Sequence, residues 1–381
     1  SESGHVWGDT KVTIAGGTVD NSVFGGGEVG YVRGAVKVSV TDGQITHDVY
    51  GGGALASTQT GNWDETNKTW ATGKTSASKT TIVNLTGGTI GGDAYGGGLG
   101  QKEYGTADQT GYVSPVEAMV YGDVKVELNN IKKVNGDMDE DAKGCAVSRV
   151  FGCNNLNGTP KGKVQVYVYA TQKIGGENIA DKADKNTNAY DVAAVYGGGN
   201  LAKYEPVDAL FTYNDANKAT VDAARPEVYI DGCGLTSIKQ VYGGGNAAPV
   251  PATYVEINRV YEIDEAFGGG NGYDDYSLQE GGSTVWYQNP GANVGYYTYA
   301  DYPKTSGQGS GTQADPYEAV QWEDYNDEGG ANKDKRLAAT DIQFGSGIAT
   351  LVVKGGTVHT SYGGSNSKGN VRAKLSSTYS A

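Results

Sequence analysis

Carboxylates are the side chains in this sequence best suited to chemistry. They recur beside glycine-rich stretches, and Asp48 and Asp93 hold equivalent positions in DVYGGG and DAYGGG. Two carboxylates roughly 5–10 Å apart can cleave a glycosidic bond, and grouped carboxylate oxygens can bind Ca²⁺. The candidates for either role are Asp48, Asp93, Asp231, Asp264, Glu265, Asp274 and Asp275.

A non-catalytic explanation of the same residues is a solvated ladder of acids on neighbouring repeats. No Arg or Lys recurs beside Asp48 and Asp93, although sites that cleave polysaccharides often add a basic residue to their carboxylates. The sequence therefore favours a protein that is not an enzyme, and it singles out no catalytic residue.

Other reactive side chains are scarce. The chain has only three His, which leaves little for metal sites or catalytic triads. Its three Cys fit neither a zinc pattern nor a disulfide scaffold, so we expect buried thiols, with a disulfide between Cys145 and Cys153 as the alternative. We expect no cofactor, while Ca²⁺ binding by acidic loops stays open.

An aromatic residue followed by glycines recurs along the chain. Upstream of each copy lies a second block, such as KVTIAGGTVDN from Lys11, and the closest copies are 25 and 26 residues apart. The 61 glycines favour short strands and turns over helices. No helical pattern follows any copy, which argues against phosphate-binding loops. The eight aromatic residues are Phe24, Tyr50, Tyr95, Phe151, Tyr196, Tyr242, Phe267 and Tyr362.

The repeats predict an all-β fold. Apolar and polar residues alternate in the upstream blocks, as at Val38 and Val40, which is the period of a strand with one buried face. One unit of short strands cannot bury its apolar face, but stacked units can. We therefore predict a right-handed parallel β-helix (β-solenoid) of about eight coils of about 25 residues with loop insertions, the hand following the general preference for right-handed crossovers.

The aromatic–glycine stretch is the predicted corner of each coil. Equivalent residues of adjacent coils lie about 4.8 Å apart, so the aromatic rings are expected to stack. We expect the glycines to supply positive φ and to omit a Cβ where coils approach closely. The Asn residues after the glycines, Asn200, Asn246 and Asn271, are expected to form a hydrogen-bonded ladder.

The sequence divides into three predicted segments. Residues 1–271 are coils with polar insertions, 272–347 form a long insertion rich in Tyr and Trp, and 348–381 hold a final coil and a strand. Aromatic rings beside amides and acids suit a glycan surface, whereas the alternative is a small β-hairpin core packed on the solenoid. The candidate ligand-binding residues are Trp286, Tyr287, Tyr296, Tyr297, Tyr299, Trp322 and Tyr325.

Charge and hydropathy limit the partners. The formal net charge is −14 and no Lys/Arg cluster occurs, which argues against nucleic acid and makes a neutral glycan a better ligand than an acidic one. No apolar run is long enough to span a membrane. The sequence shows no signal peptide or capping segment, so we expect a piece of a longer exported protein, whose coils could also associate end to end.

The recurring GGTI..DVYGGGN pattern resembles glycine-rich β-helical repeats of bacterial cell-surface proteins, adhesin-like proteins of anaerobic gut bacteria. The resemblance covers the eight coils and not the insertions. It implies an extracellular or cell-surface location and a structural or adhesive role, with a glycan or a host or cell-surface protein as partner. It carries over no catalytic residue. The alternatives are a polysaccharide lyase or glycoside hydrolase on the same scaffold and a self-assembling filament subunit.

Overall fold

The computed structural model confirms an all-β parallel β-helix with eight coils. It describes residues 4–64, 66–67, 69–70, 80–105, 110–137, 139, 142–171, 190–206, 210–211, 223–232, 236–295, 309–318 and 343–371.

Each coil contributes one strand to each of two long parallel sheets. Sheet A has the order β1-β3-β7-β9-β11-β14-β16-β21 and sheet B the order β2-β4-β8-β10-β12-β15-β17-β22. The strands of sheet A are β1 (Thr10–Val19), β3 (Val36–Ile45), β7 (Thr80–Ile90), β9 (Asp123–Leu128), β11 (Val164–Val168), β14 (Pro226–Asp231), β16 (Thr253–Arg259) and β21 (Ala349–Val353). Those of sheet B are β2 (Val23–Phe24), β4 (Val49–Tyr50), β8 (Ala94–Tyr95), β10 (Arg149–Phe151), β12 (Val192–Tyr196), β15 (Ser237–Tyr242), β17 (Glu262–Phe267) and β22 (Thr357–Tyr362).

A third side of the coils is formed by single parallel bridges. Val6 pairs with Val32 and Val32 with Thr58, and further along Val250 pairs with Val294. Val294 lies in the insertion 272–347 of the sequence analysis, and Thr58 lies in a polar segment after β4, so the chain returns to the coil within both segments. A side with one bridged residue per coil has no alternating pattern to reveal it.

The core lies between the sheets and follows the alternation of the strands. In β9 the side chains of Val124, Val126 and Leu128 are buried, whereas Lys125 and Glu127 point outward and are half-buried. Short, mostly β-branched side chains therefore fill the interior of the coils, as expected for strands stacked in register.

The glycine triplets are required by close packing between coils. None of the triplet glycines has a positive φ, so the prediction that they supply this conformation is wrong. A Cβ at Gly52 would lie 2.7 Å from the backbone N of Gly98, which confirms the predicted need for a missing Cβ. Positive φ occurs instead upstream, at Gly43 (95°) and Gly88 (79°), where the pairing of β3 with β7 is interrupted.

The insertions carry small antiparallel elements of their own. Two hairpins pair β5 (Trp63–Asp64) with β6 (Thr69–Trp70) and β18 (Tyr276–Glu280) with β19 (Ser283–Tyr287). A 3₁₀ turn lies at Thr60–Asn62, and β13 (Leu210–Phe211) pairs with β20 (Gln343–Phe344) from a different insertion. Two insertions that are far apart in sequence therefore meet beside the coils.

Candidate functional site

The predicted aromatic ladder is present on the outer face of sheet B. Neighbouring rings stack with centroids 4.5–5.0 Å apart and interplanar angles of at most 12°. Val49 points into the core, and its neighbour Tyr50 points outward but is still buried. The eight stacked residues are Phe24, Tyr50, Tyr95, Phe151, Tyr196, Tyr242, Phe267 and Tyr362.

The Asn ladder is also present and is longer than predicted. Asn200 donates from Nδ2 to Oδ1 of Asn155 at 2.9 Å, and Asn246 donates to Asn200 at 2.8 Å. The next amides continue in the same way, from Asn271 to Asn246 at 2.8 Å and from Asn366 to Asn271 at 3.0 Å. Backbone geometry and side-chain amides therefore hold five coils in the same register.

A column of residues runs beside the aromatic ladder, each two positions before an aromatic residue on the same strand face. We call it the polar column. Its early members bind the phenols: Tyr50 donates to Asp48 at 2.9 Å and Tyr95 to Asp93 at 3.2 Å. Burial, and then the charge of Asp93, raises the pKa of Tyr95 well above its usual range, so this phenol keeps its proton. The polar column consists of Ser22, Asp48, Asp93, Arg149, Ala194, Gln240, Glu265 and Thr360.

Asp48 and Asp93 lie on adjacent coils, as expected, but both are held in structural contacts. Asp48 accepts a hydrogen bond from the backbone N of Asp93 at 2.8 Å. Asp93 forms a bidentate pair with Arg149, at 3.0 Å to Nε and 2.6 Å to Nη2. The sequence analysis found no cation beside these acids because Arg149 replaces the acid in the next coil instead of recurring with it.

The polar column contains a gap at Ala194, and a groove opens there. Ala194 lies between Arg149 on β10 and Gln240 on β15, both of which carry long side chains. The groove has a volume of about 430 Å³, and Ala194 and Tyr196 lie on its floor. The stretch AVYGGG, where earlier copies read DVYGGG and DAYGGG, is the signal in the sequence that could have located this groove.

Charged, amide and aromatic groups line the rest of the groove. Glu265 accepts a hydrogen bond from Gln240 at 2.8 Å, and Asp274 accepts one from Asn271 of the Asn ladder at 2.9 Å. The lining also includes Ala193, Lys239, Asn366 and the exposed Tyr273, which keeps 65% of its accessible surface. The groove therefore combines an exposed aromatic ring with hydrogen-bond donors and acceptors.

The β18–β19 hairpin begins at Tyr276, two residues after Asp274 of the groove lining. Its base is fixed by Asn289, which is fully buried and donates to the backbone O of Asn246 and of Asp274 at 3.1 and 3.0 Å. Two predicted ligand-binding residues, Trp286 and Tyr287, lie on this hairpin and are half-buried. Tyr287 stacks on Tyr276 at 5.6 Å, so its ring is part of a small hairpin core.

The other predicted ligand-binding residues, Tyr296, Tyr297, Tyr299, Trp322 and Tyr325, lie outside the described residues.

The remaining candidate carboxylates are apart from the groove lining. Asp231 pairs with Arg259 at 3.2 Å on the surface. Asp264 lies beside Tyr190, whose pKa is raised to about 12 by burial first and then by nearby acids. Asp275 accepts a backbone hydrogen bond at the base of the hairpin. The structure thus brings only two of the seven candidates into the groove, Glu265 and Asp274.

The described residues offer little other chemistry. Cys145 and Cys153 are buried free thiols, so the disulfide alternative is not formed, and burial raises the pKa of Cys145 to about 12. Cys233 lies outside the described residues. Within the described ranges, no three His, Cys, Asp or Glu side chains group closely enough to hold a metal ion, and no helix there has the length and apolar character to cross a bilayer.

The chain was also compared with known proteins. Comparison with models of protein families, with curated proteins and with solved structures finds no match.

Proposed function

We propose that this chain is an extracellular structural and adhesive module of a bacterial surface protein that binds a glycan through the groove on sheet B. The observation that carries the proposal is the combination in one groove of an exposed ring, Tyr273, with amides and charges fixed by ladders. The location at the cell surface rests on the resemblance of the repeats to adhesin-like solenoids.

The chemistry of the groove suits sugars. A sugar has a flat apolar face, which packs on an aromatic ring, and a rim of hydroxyls that need donors and acceptors together. Gln240 and Glu265, joined at 2.8 Å, present a carbonyl, an N–H and a carboxylate side by side. Since backbone pairing of neighbouring strands holds both residues in register, the groove is organised before a ligand arrives.

A rigid solenoid also explains how such a site is presented. Each coil rests on its neighbours through continuous sheets, so the groove keeps its shape while insertions vary around it. Tyr273 and Asp274 come from one such insertion, and they complete a groove whose floor belongs to the coils. Binding without cleavage needs nothing beyond this arrangement.

Glycosidic cleavage is a second candidate because two carboxylates, Glu265 and Asp274, line the same groove. Each already accepts a hydrogen bond from an amide, Gln240 or Asn271. A catalytic pair needs one carboxyl group to donate a proton, whereas both of these are held as acceptors. The geometry therefore favours binding over cleavage.

The test is retention of the protein on a panel of neutral and acidic polysaccharides, with and without Ca²⁺, while newly released chain ends are measured. We expect retention without new chain ends, and loss of retention in Tyr273→Ala. The matched control is Tyr104→Ala, because this exposed Tyr belongs to another insertion. New chain ends that disappear in Glu265→Gln would establish the enzyme instead, and retention on no polysaccharide would overturn glycan binding.

A further inference from the structure

The groove contains a phenol that lacks the acceptor found in earlier coils. Tyr50 and Tyr95 each donate to the Asp two residues upstream. In the coil of Tyr196 that position is Ala194, which has no acceptor to offer. Among the described residues, the Tyr196 hydroxyl accepts a long 3.5 Å bond from Asn271 and donates to none. The hydroxyl proton of Tyr196 is therefore available to a ligand group in the groove next to Ala194.

Two cationic side chains, Arg149 and Lys239, line the groove together with Ala194. Arg149 uses Nε and Nη2 to bind Asp93 on the coil below, and Nη1 forms no hydrogen bond to a described residue. Lys239 is exposed and forms no ion pair within the described part of the chain. The carboxylates of Glu265 and Asp274, which also line the groove, each accept a hydrogen bond from an amide. The surroundings of Ala194 are consequently rich in donors.

We infer that the groove binds a sugar residue that carries a carboxylate, and that this carboxylate takes the place above Ala194 where Asp48 and Asp93 stand in earlier coils. It accepts the proton of Tyr196 in a hydrogen bond and pairs with Arg149, so the ligand completes the polar column. This inference rests on the proposed function and names its ligand class, a uronic acid unit within a polysaccharide.

The net charge of −14 had favoured a neutral glycan. Charges that are exposed to solvent are screened beyond about 8 Å at physiological ionic strength, whereas groups within contact distance act almost fully. The cations next to Ala194 therefore decide which ligand group binds there. Of the acids, Glu265 and Asp274 line the same groove but each already accepts a hydrogen bond from an amide, and the more distant ones mainly slow the approach of an acidic polymer.

A substitution at Ala194 can block the proposed carboxylate site. Ala194→Asp places a carboxylate two residues before Tyr196, as Asp93 stands two residues before Tyr95, and next to Arg149 of the preceding coil. We expect a folded protein that no longer retains a uronic acid polymer, since the variant's own carboxylate fills the place. Tyr196→Phe, which copies the native Phe151 of the preceding coil, removes the donor together with the long bond from Asn271 and should weaken binding about tenfold or more.

The experiment compares polygalacturonate, alginate and a polyglucuronate with the carboxyl-reduced form of each, in the presence of a chelator. We expect at least tenfold weaker binding to the reduced polymers, and loss of that preference in Ala194→Asp and Tyr196→Phe, with far-UV circular dichroism confirming that both variants fold. Equal binding to native and reduced polymers that depends on Tyr273 would overturn the inference but leave the proposed function standing. Binding to none of the acidic or neutral polymers would overturn both.

Discussion

Replacing one triplet glycine tests whether close contact between coils, and not backbone conformation, requires these residues. In Gly52→Ala the new Cβ would lie 2.7 Å from the N and 2.8 Å from the Cα of Gly98. Both are backbone atoms of the next coil, so no side-chain rotation can relieve the overlap. The equivalent change Gly364→Ala, in the last described coil, meets no described atom within 4 Å.

The expected magnitude follows from these contacts. Ordinary Cβ contacts begin near 3.4 Å, so the two coils around Gly52 must separate locally by several tenths of an ångström. Overpacking of this kind costs about 1–3 kcal/mol of unfolding free energy. At Gly364 the φ is not positive and the space is open, so Ala should raise stability by about 0.4–1 kcal/mol through the unfolded chain. The two variants should therefore differ by about 1.5–4 kcal/mol.

The assay is urea unfolding followed by far-UV circular dichroism, with hydrogen exchange to locate the loss. Repeat proteins do not always unfold in one step, so the exchange of amides around Gly52 and Gly98 should rise before that of distant coils. Equal destabilisation by both substitutions, or a neutral Gly52→Ala, would show that packing between coils is not the reason for the glycines.

Three further outcomes follow from the ladders and the core. Tyr95→Ala should lower the unfolding free energy by about 3–5 kcal/mol because it empties a buried position between two stacked rings. Tyr95→Phe keeps the ring and should lower it by only about 1 kcal/mol. Urea unfolding midpoints of the two variants measure the difference. Asn271→Ala should lower the unfolding free energy by about 1–3 kcal/mol because Oδ1 of Asn246 loses its donor, and thermal melts should show that Asn271→Gln does not restore the stability. Cys145 should resist thiol reagents at pH 8 until urea is added, which peptide mapping can follow; rapid labelling of the native chain would contradict its burial.

Much of the fold follows from the sequence because the coil repeats one local pattern. The alternation at Val38 and Val40 fixes the inward face of sheet A, and the aromatic residues fix the register of sheet B. Neither depends on distant contacts. The third side escaped prediction because Thr58 and Val294 each stand alone in polar segments, where one bridged residue leaves no periodicity.

The groove was harder to predict for a different reason. It depends on a side chain that is missing, at Ala194, and on the return of Tyr273 and Asp274 to the outer face of sheet B. A search for reactive residues passes over an alanine. The sequence predicted aromatic ligand contacts on the long insertion. Among the residues of that insertion which the structure describes, however, the ring of Tyr287 stacks on Tyr276 and the exposed ring is Tyr273.

The stacking of coils also determines how the molecule would respond to force. Hydrogen bonds between coils, such as that from Gly51 N to Tyr95 O, run along the direction in which the coils stack. A pull between the first and last coils would load the outermost bonds first and peel the coils off one at a time. A free coil of about 25 residues releases roughly 80–90 Å of chain. The 95 residues between Phe267 and Tyr362, against 26 between Phe24 and Tyr50, would make these steps unequal, so the chain would lengthen under load in a series of steps of different sizes.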